Sequence, residues 1–204
     1  LRERATQSAE KFVPFDPVSD YDEYVDGLPR SDGVRAFLAA RSIDLPEGEA
    51  NDPPAAETVA ALGNRKNEIV LRMIHEQGVE AYEGSVRYVR AARAAGLRRA
   101  VVSSSSNCRE VLVAAKIEDL FEQRIDGIVA EREHLKGKPA PDTFLAGARA
   151  LGIAPAEAAV FEDALAGVAG GRAGGFVCVV GVGRGGQAGW LPARVGTAVW
   201  REGG

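Results

Sequence analysis

Three short stretches of the chain bring together residue types that could handle a phosphoryl group. In order they are Val101-Val102-Ser103-Ser104-Ser105-Ser106-Asn107, Gly137-Lys138-Pro139-Ala140-Pro141-Asp142 and Val160-Phe161-Glu162-Asp163. Ser103 follows an apolar run, so its hydroxyl and the next backbone N–H groups emerge together, and Asn107 opens a helix whose free N–H groups attract an anion. Lys138, fixed between glycine and proline, can act as a point charge on a phosphoryl oxygen. Glu162 and Asp163 are adjacent hard oxygen ligands suited to Mg²⁺. No carboxylate able to take the phosphoryl group covalently stands where such a site would need one.

Each stretch also has an ordinary explanation. Four serines make a polar loop with an N-cap, a lysine before proline can be a surface residue, and acids at a helix start favour the dipole. It is the order of hydroxyls, lysine and acid pair that favours one site over three coincidences. The lysine is not part of a P-loop, because no glycine stands five positions before Gly137 and no Ser or Thr follows Lys138.

The elements that must position these residues change character at Gly84. From Leu1 to about Ala81 the signals are helical: Val34, Phe37 and Leu38 after Ser31-Asp32-Gly33 predict a short helix, Asp44 to Pro54 a loop, and Thr58 to Glu76 a long helix. Its apolar faces are Val59, Leu62, Ile69, Leu71, Met73 and Ile74. Beyond Gly84, helices over 86–95, 108–115, 141–151 and 164–173 alternate with strands over 99–103, 125–130, 158–161 and 176–182. That alternation predicts an α/β fold, a parallel sheet covered by helices with its site at the carboxyl ends of the strands, where all three stretches fall. The domain reading is a helical unit over 1–81 and an α/β core over 82–204.

The 204 residues are 46% hydrophobic, enough for a core domain with a small second one. A formal charge of −4 leaves no excess of positive charge to drive nucleic-acid binding, so an anion must be held by a local pocket. Cys108 and Cys178 show no metal or disulfide spacing, which points to a reducing cytoplasm. No apolar run approaches the roughly 18 residues of a membrane helix. The expectation is a cytoplasmic monomer acting on a small molecule, without nucleic acid or membrane.

With these residues in view, the order SSSSN, GKPAPD and FEDALAG resembles motifs two, three and four of the haloacid dehalogenase superfamily, and its details resemble the β-phosphoglucomutase branch. The resemblance implies a Rossmann-like core with an all-helical cap. It implies that Ser103 and Lys138 hold the transferring phosphoryl group while Glu162 and Asp163 secure Mg²⁺. In the cap, Asp26-Gly27-Leu28-Pro29-Arg30 resembles the substrate-contacting loop, with Gly27, Leu28 and the phosphate-binding Arg30. Asn64-Arg65-Lys66-Asn67 resembles the cap helix that offers a second basic residue, Lys66. Ser104, Ser105, Ser106 and Asn107 match the loop that meets the sugar phosphate, with Ser106 where the family has a lysine.

Family members open on a buried strand carrying Asp-x-Asp-Gly, whose first acid is the nucleophile. Phe15-Asp16-Pro17-Val18 and Asp20-Tyr21-Asp22 imitate it, but neither follows a buried strand. The chain, opening on Leu1, therefore reads as a fragment without its first strand. Losing four or five buried apolar side chains at ~1.5–3 kcal/mol each forfeits roughly 10 kcal/mol, comparable to a domain's whole stability of ~5–15 kcal/mol. Such a chain is expected to expose two strand edges and to fold poorly.

Three activities remain open from sequence: a sugar-phosphate phosphomutase, a phosphatase of small monoesters on the same scaffold, and a phosphate-binding fragment without turnover. Gly181-Val182-Gly183-Arg184-Gly185-Gly186 fits GxGxxG, but it lacks a following helix and an acid about 20 residues on. His75 and His134 have no nucleophile partner and read as surface or packing residues.

Overall fold

The structure, a computed structural model, describes residues 13–183 and 199–201. Three helices form its first part: α1 (Ser19–Tyr24), α2 (Arg30–Ala40) and α3 (Val59–Gln77). Asp16 starts α1, its Oδ1 accepting from the N–H groups of Val18 and Ser19 at 2.9 and 2.7 Å. Asp20 is paired with Arg41 at 2.5 Å. Two acids that imitate the nucleophile motif are thus a helix start and an ion pair.

Helix α2 begins at Arg30, directly after Pro29, and so earlier than the serine expected to open it. Thr58 caps α3 by accepting from Ala61 N–H at 3.0 Å, and Gly78, at φ 72°, ends it. Leu38, Val59 and Ala61 are buried where α2 and α3 meet. The apolar second half of α3 is less covered than its pattern suggests, because Ile69 and Met73 are each 49% exposed.

Helix α4 (Glu83–Ala94) leads into the alternating part: β1 (Ala100–Val102), α5 (Cys108–Ala114), β2 (Gln123–Ile125), α6 (Gly127–Arg132), α7 (Asp142–Leu151), β3 (Ala159–Glu162), α8 (Leu165–Ala173), β4 (Cys178–Gly183) and β5 (Val199–Arg201). The strand expected over 125–130 is a correction. Strand β2 ends at Ile125, and Asp126 then accepts from Val129 N–H at 3.0 Å, turning the chain into α6. A short apolar run supports either state, and the aspartate decides it. The stretch from Arg184 to Gly186, needed for GxGxxG, lies outside the described residues.

The described strand pairs are all parallel. Among the described residues they form two sheets, β1–β2 and β3–β4–β5, so β1 and β3 are not hydrogen-bonded to each other. Helix α7 packs on β1 and β2, α8 packs on β3 and β4, and the two helices touch. Phe144 of α7 joins Val160, Val168 and Val179 in one apolar cluster that Val102 of β1 also reaches. This helix layer spans both sheets, holding the ends of β1 and β3 at one site.

Candidate active site

A cavity of about 460 Å³ lies between the first helices and the carboxyl ends of β1 and β3. Its wall includes Ser103, Ser104, Ser105, Ser106 and Asn107 after β1, Lys138 before α7, and Glu162 and Asp163 at the end of β3. From the helical side come Gly27, Leu28 and Arg30 around the start of α2, and Lys66 from α3. The structure therefore brings every sequence-predicted site residue to one cavity. His75 and His134 are exposed and outside it.

On the core side the geometry is tight. Lys138 Nζ donates to Glu162 Oε2 at 2.6 Å and lies 4.9 Å from the centre of the Phe144 ring, while Ala164 N–H donates to Glu162 Oε1 at 3.0 Å. Lys138 and Glu162 are 6% and 8% exposed, so each is nearly closed off from water and relies on the other. Burial pushes the Glu162 carboxyl above its ordinary range, opposed by the charge and hydrogen bond of Lys138. Gly167 makes room for this pair, since a Cβ there would stand 2.2 Å from Glu162 Cδ.

Hydroxyls order the loop after β1. Ser103 Oγ accepts from Ser105 N–H and Ser105 Oγ from Asn107 N–H, both at 3.1 Å. Asn107 occupies the expected N-cap position of α5, but its side chain makes no cap bond. Its Nδ2 instead donates to Asn67 Oδ1 on α3 at 2.7 Å.

The helical side is pressed onto the core at the 26–30 loop. Ser104 Oγ donates to Gly27 O at 2.8 Å. Gly27 has φ +73°, and a Cβ there would fall 2.7 Å from Ala164 Cβ, so both conformation and space demand glycine. A Cβ at Gly137 would likewise meet Pro29 Cγ at 2.5 Å.

The two cations of this side have neutral partners. Arg30 Nη2 donates to Asn67 Oδ1 at 2.9 Å, and Lys66 Nζ stands 5.9 Å from the centre of the Tyr21 ring. Burial lowers the Arg30 pKa; burial first, and then the charge of Arg30, lowers that of Lys66. A half-buried arginine beside a more exposed lysine makes a place for an anion.

Asn64 and Arg65, which the motif placed beside Lys66, serve the fold. Asn64 Nδ2 donates to the carbonyls of Ala50 and Asp52, and Arg65 Nε donates to Pro54 O at 2.8 Å, fastening the loop before α3. Sequence reasoning missed Tyr21, Asp26 and Asn67, which also line the cavity. Asp26 has a raised pKa, from burial first and then from Asp163 and Asp22.

The fit to Mg²⁺ rests on the donors: this ion takes one or two carboxylates together with waters and phosphate oxygens. Asp163 lies at the cavity wall beside Glu162, and its charge is felt by Asp26. Among the described residues no group of three or more His, Cys, Asp or Glu forms a ready metal cage. The arrangement suits a cation that shares its ligands with a phosphate.

The haloacid dehalogenase-like hydrolase family matches residues 3–175. The chain belongs to this family. It is 54% identical over 188 residues to a beta-phosphoglucomutase of Mycobacterium bovis, covering 92% of this chain and 72% of the relative. Among solved structures, beta-phosphoglucomutase from Clostridium difficile superposes with a TM-score of 0.68 at 21% identity, covering 90% of this chain and 75% of that one. A hydrolase from Pseudomonas syringae gives 0.70 at 18%, covering 98% and 82%. At those identities the structural likeness speaks for the fold: a Rossmann-like α/β core with a helical cap.

Proposed function

We propose that this chain is the phosphate-handling part of a sugar-phosphate phosphotransferase of the β-phosphoglucomutase type, a cytoplasmic monomer acting on a hexose phosphate. The observation that carries the reading is the charge layout of one cavity, with Lys138 and Ser103 on the core wall and Arg30 and Lys66 on the cap wall. A substrate with one phosphate needs one such group, whereas a sugar bisphosphate that must turn round needs both. The 54% identity to a beta-phosphoglucomutase supports the same choice over a monoester phosphatase.

In this reading Lys138 and the Ser103 hydroxyl hold the transferring phosphoryl group, and Glu162 keeps the lysine aimed. Phosphoryl transfer asks chiefly for positioning and charge compensation, and these residues provide both. Mg²⁺ held by Asp163 and Glu162 would offset charge on the phosphoryl oxygens. Arg30 and Lys66 take the far phosphate, and Gly27, Leu28, Ser104, Ser105, Ser106 and Asn107 enclose the sugar between. The aspartate that accepts the phosphoryl group is assigned to none of these residues.

Calorimetry tests the reading without turnover. A hexose 1,6-bisphosphate should bind at least about tenfold tighter than a hexose 6-phosphate, the value of one charged hydrogen-bonding site. The advantage should vanish in the Arg30→Ala/Lys66→Ala double variant. Equal affinity for the two sugars in the unaltered chain would remove the mutase reading and favour a hydrolase of monoesters.

A further inference from the structure

The amide oxygen of Asn67 accepts from Arg30 Nη2 at 2.9 Å and from Asn107 Nδ2 at 2.7 Å. One donor belongs to the cap and the other to the loop after β1, so a single oxygen joins the two walls of the cavity. Gly63, one turn earlier on α3, makes this possible: a Cβ there would stand only 3.2 Å from Arg30 Cδ, so the arginine stem can lie across the helix toward Asn67. We propose that Asn67 is a positioning residue, which aims Arg30 at an incoming anion and latches the cap to the 103–107 loop. The aiming half rests on the reading of Arg30 as an anion-binding residue.

The choice of an amide follows from charge. An amide oxygen has two lone pairs, and both are used here, while Arg30 keeps its full charge and its remaining N–H donors. A carboxylate at position 67 would hold the same two donors more strongly, but it would cancel Arg30 and repel an anion. Latching and anion capture therefore respond in opposite directions to Asn67→Asp and in the same direction to Asn67→Ala. A side chain that merely supports the fold would not separate them.

The experiment compares the unaltered chain with Asn67→Ala and Asn67→Asp. Latching is read as hydrogen exchange of the 103–107 amides without ligand, and capture as affinity for sulfate and for a hexose bisphosphate. Asn67→Ala should speed exchange and weaken anion binding about tenfold. Asn67→Asp should keep exchange as slow as in the unaltered chain, or slower, while weakening anion binding by at least another tenfold. Asn67→Gln retains the amide and should recover part of the affinity, which serves if the alanine variant does not fold. Unchanged exchange in Asn67→Ala, or undiminished sulfate binding in Asn67→Asp, would overturn the proposal. If the unaltered chain binds no anion, the Arg30 reading and the aiming half fall together, and the exchange arm alone decides the latch.

Discussion

The two walls of the cavity solve the same problem, keeping cations near a phosphate, in different ways. On the core wall Lys138 is buried against Glu162 at 2.6 Å, a pair in which each charge needs the other. On the cap wall Arg30 and Lys66 rest on an amide and an aromatic ring, which orient charge without cancelling it. The core wall should therefore register damage as lost stability, and the cap wall as lost binding.

Lys138→Met gives the largest effect. It leaves the Glu162 carboxylate buried without its counter-charge, a change that costs about 3–5 kcal/mol. Urea unfolding should show that loss, and adding Glu162→Gln should return much of it by removing the stranded charge. If Lys138→Met were as stable as the unaltered chain, the pair would not hold the core wall together.

On the cap wall the same chemistry reads out differently. Arg30→Met or Lys66→Met should each weaken sulfate binding by about tenfold, the low end of a charged hydrogen bond. Unfolding stability should stay within about 0.5 kcal/mol, because neither cation leaves a buried carboxylate behind. A stability loss as large as that of Lys138→Met would abolish the distinction between the walls.

How far the site was legible from sequence follows the same division. Ser103, Lys138, Glu162 and Asp163 stand at strand ends or helix starts, where local pattern dictates position, and motif order marks them out. Gly27 and Arg30 were legible through the resemblance of the 26–30 stretch to the family's substrate-contacting loop, while the positive-φ turn at Gly27 and the helix start at Arg30 emerge from the structure. Asn67 and Tyr21 were not, since their roles depend on α3 and α1 meeting the core, which residue spacing within one element does not encode. The strand expected over 125–130 failed for a local reason: apolar Ile128, Val129 and Ala130 fit either state, and the capping oxygen of Asp126 outweighs them.

A smaller effect isolates the platform from the charges it carries. Thr58→Ala removes the oxygen that caps α3 and should cost about 1 kcal/mol, measured by thermal or urea unfolding. Lys66 and Asn67 lie two turns or more along the helix, so sulfate affinity should be retained. A parallel loss of affinity would mean that the cap wall depends on how firmly α3 starts.

The mildest probe is pH, and its sign is set by Lys66. Burial and the neighbouring Arg30 hold its pKa below the ordinary 10.5, so in the free chain the proton is lost at lower pH than from a surface lysine. A bound anion favours the charged form and raises the pKa again. Between those two values binding takes up a proton, so affinity must fall as pH rises through the window and stay level below it. Sulfate is the right probe because its own charge does not change there. Arg30 stays protonated throughout, which limits the decline to less than the tenfold that Lys66→Met costs. In that variant the slope should disappear; a slope that survived would have to come from a group other than Lys66, and the cap wall would then owe its pH response to something outside the Arg30–Lys66 pair.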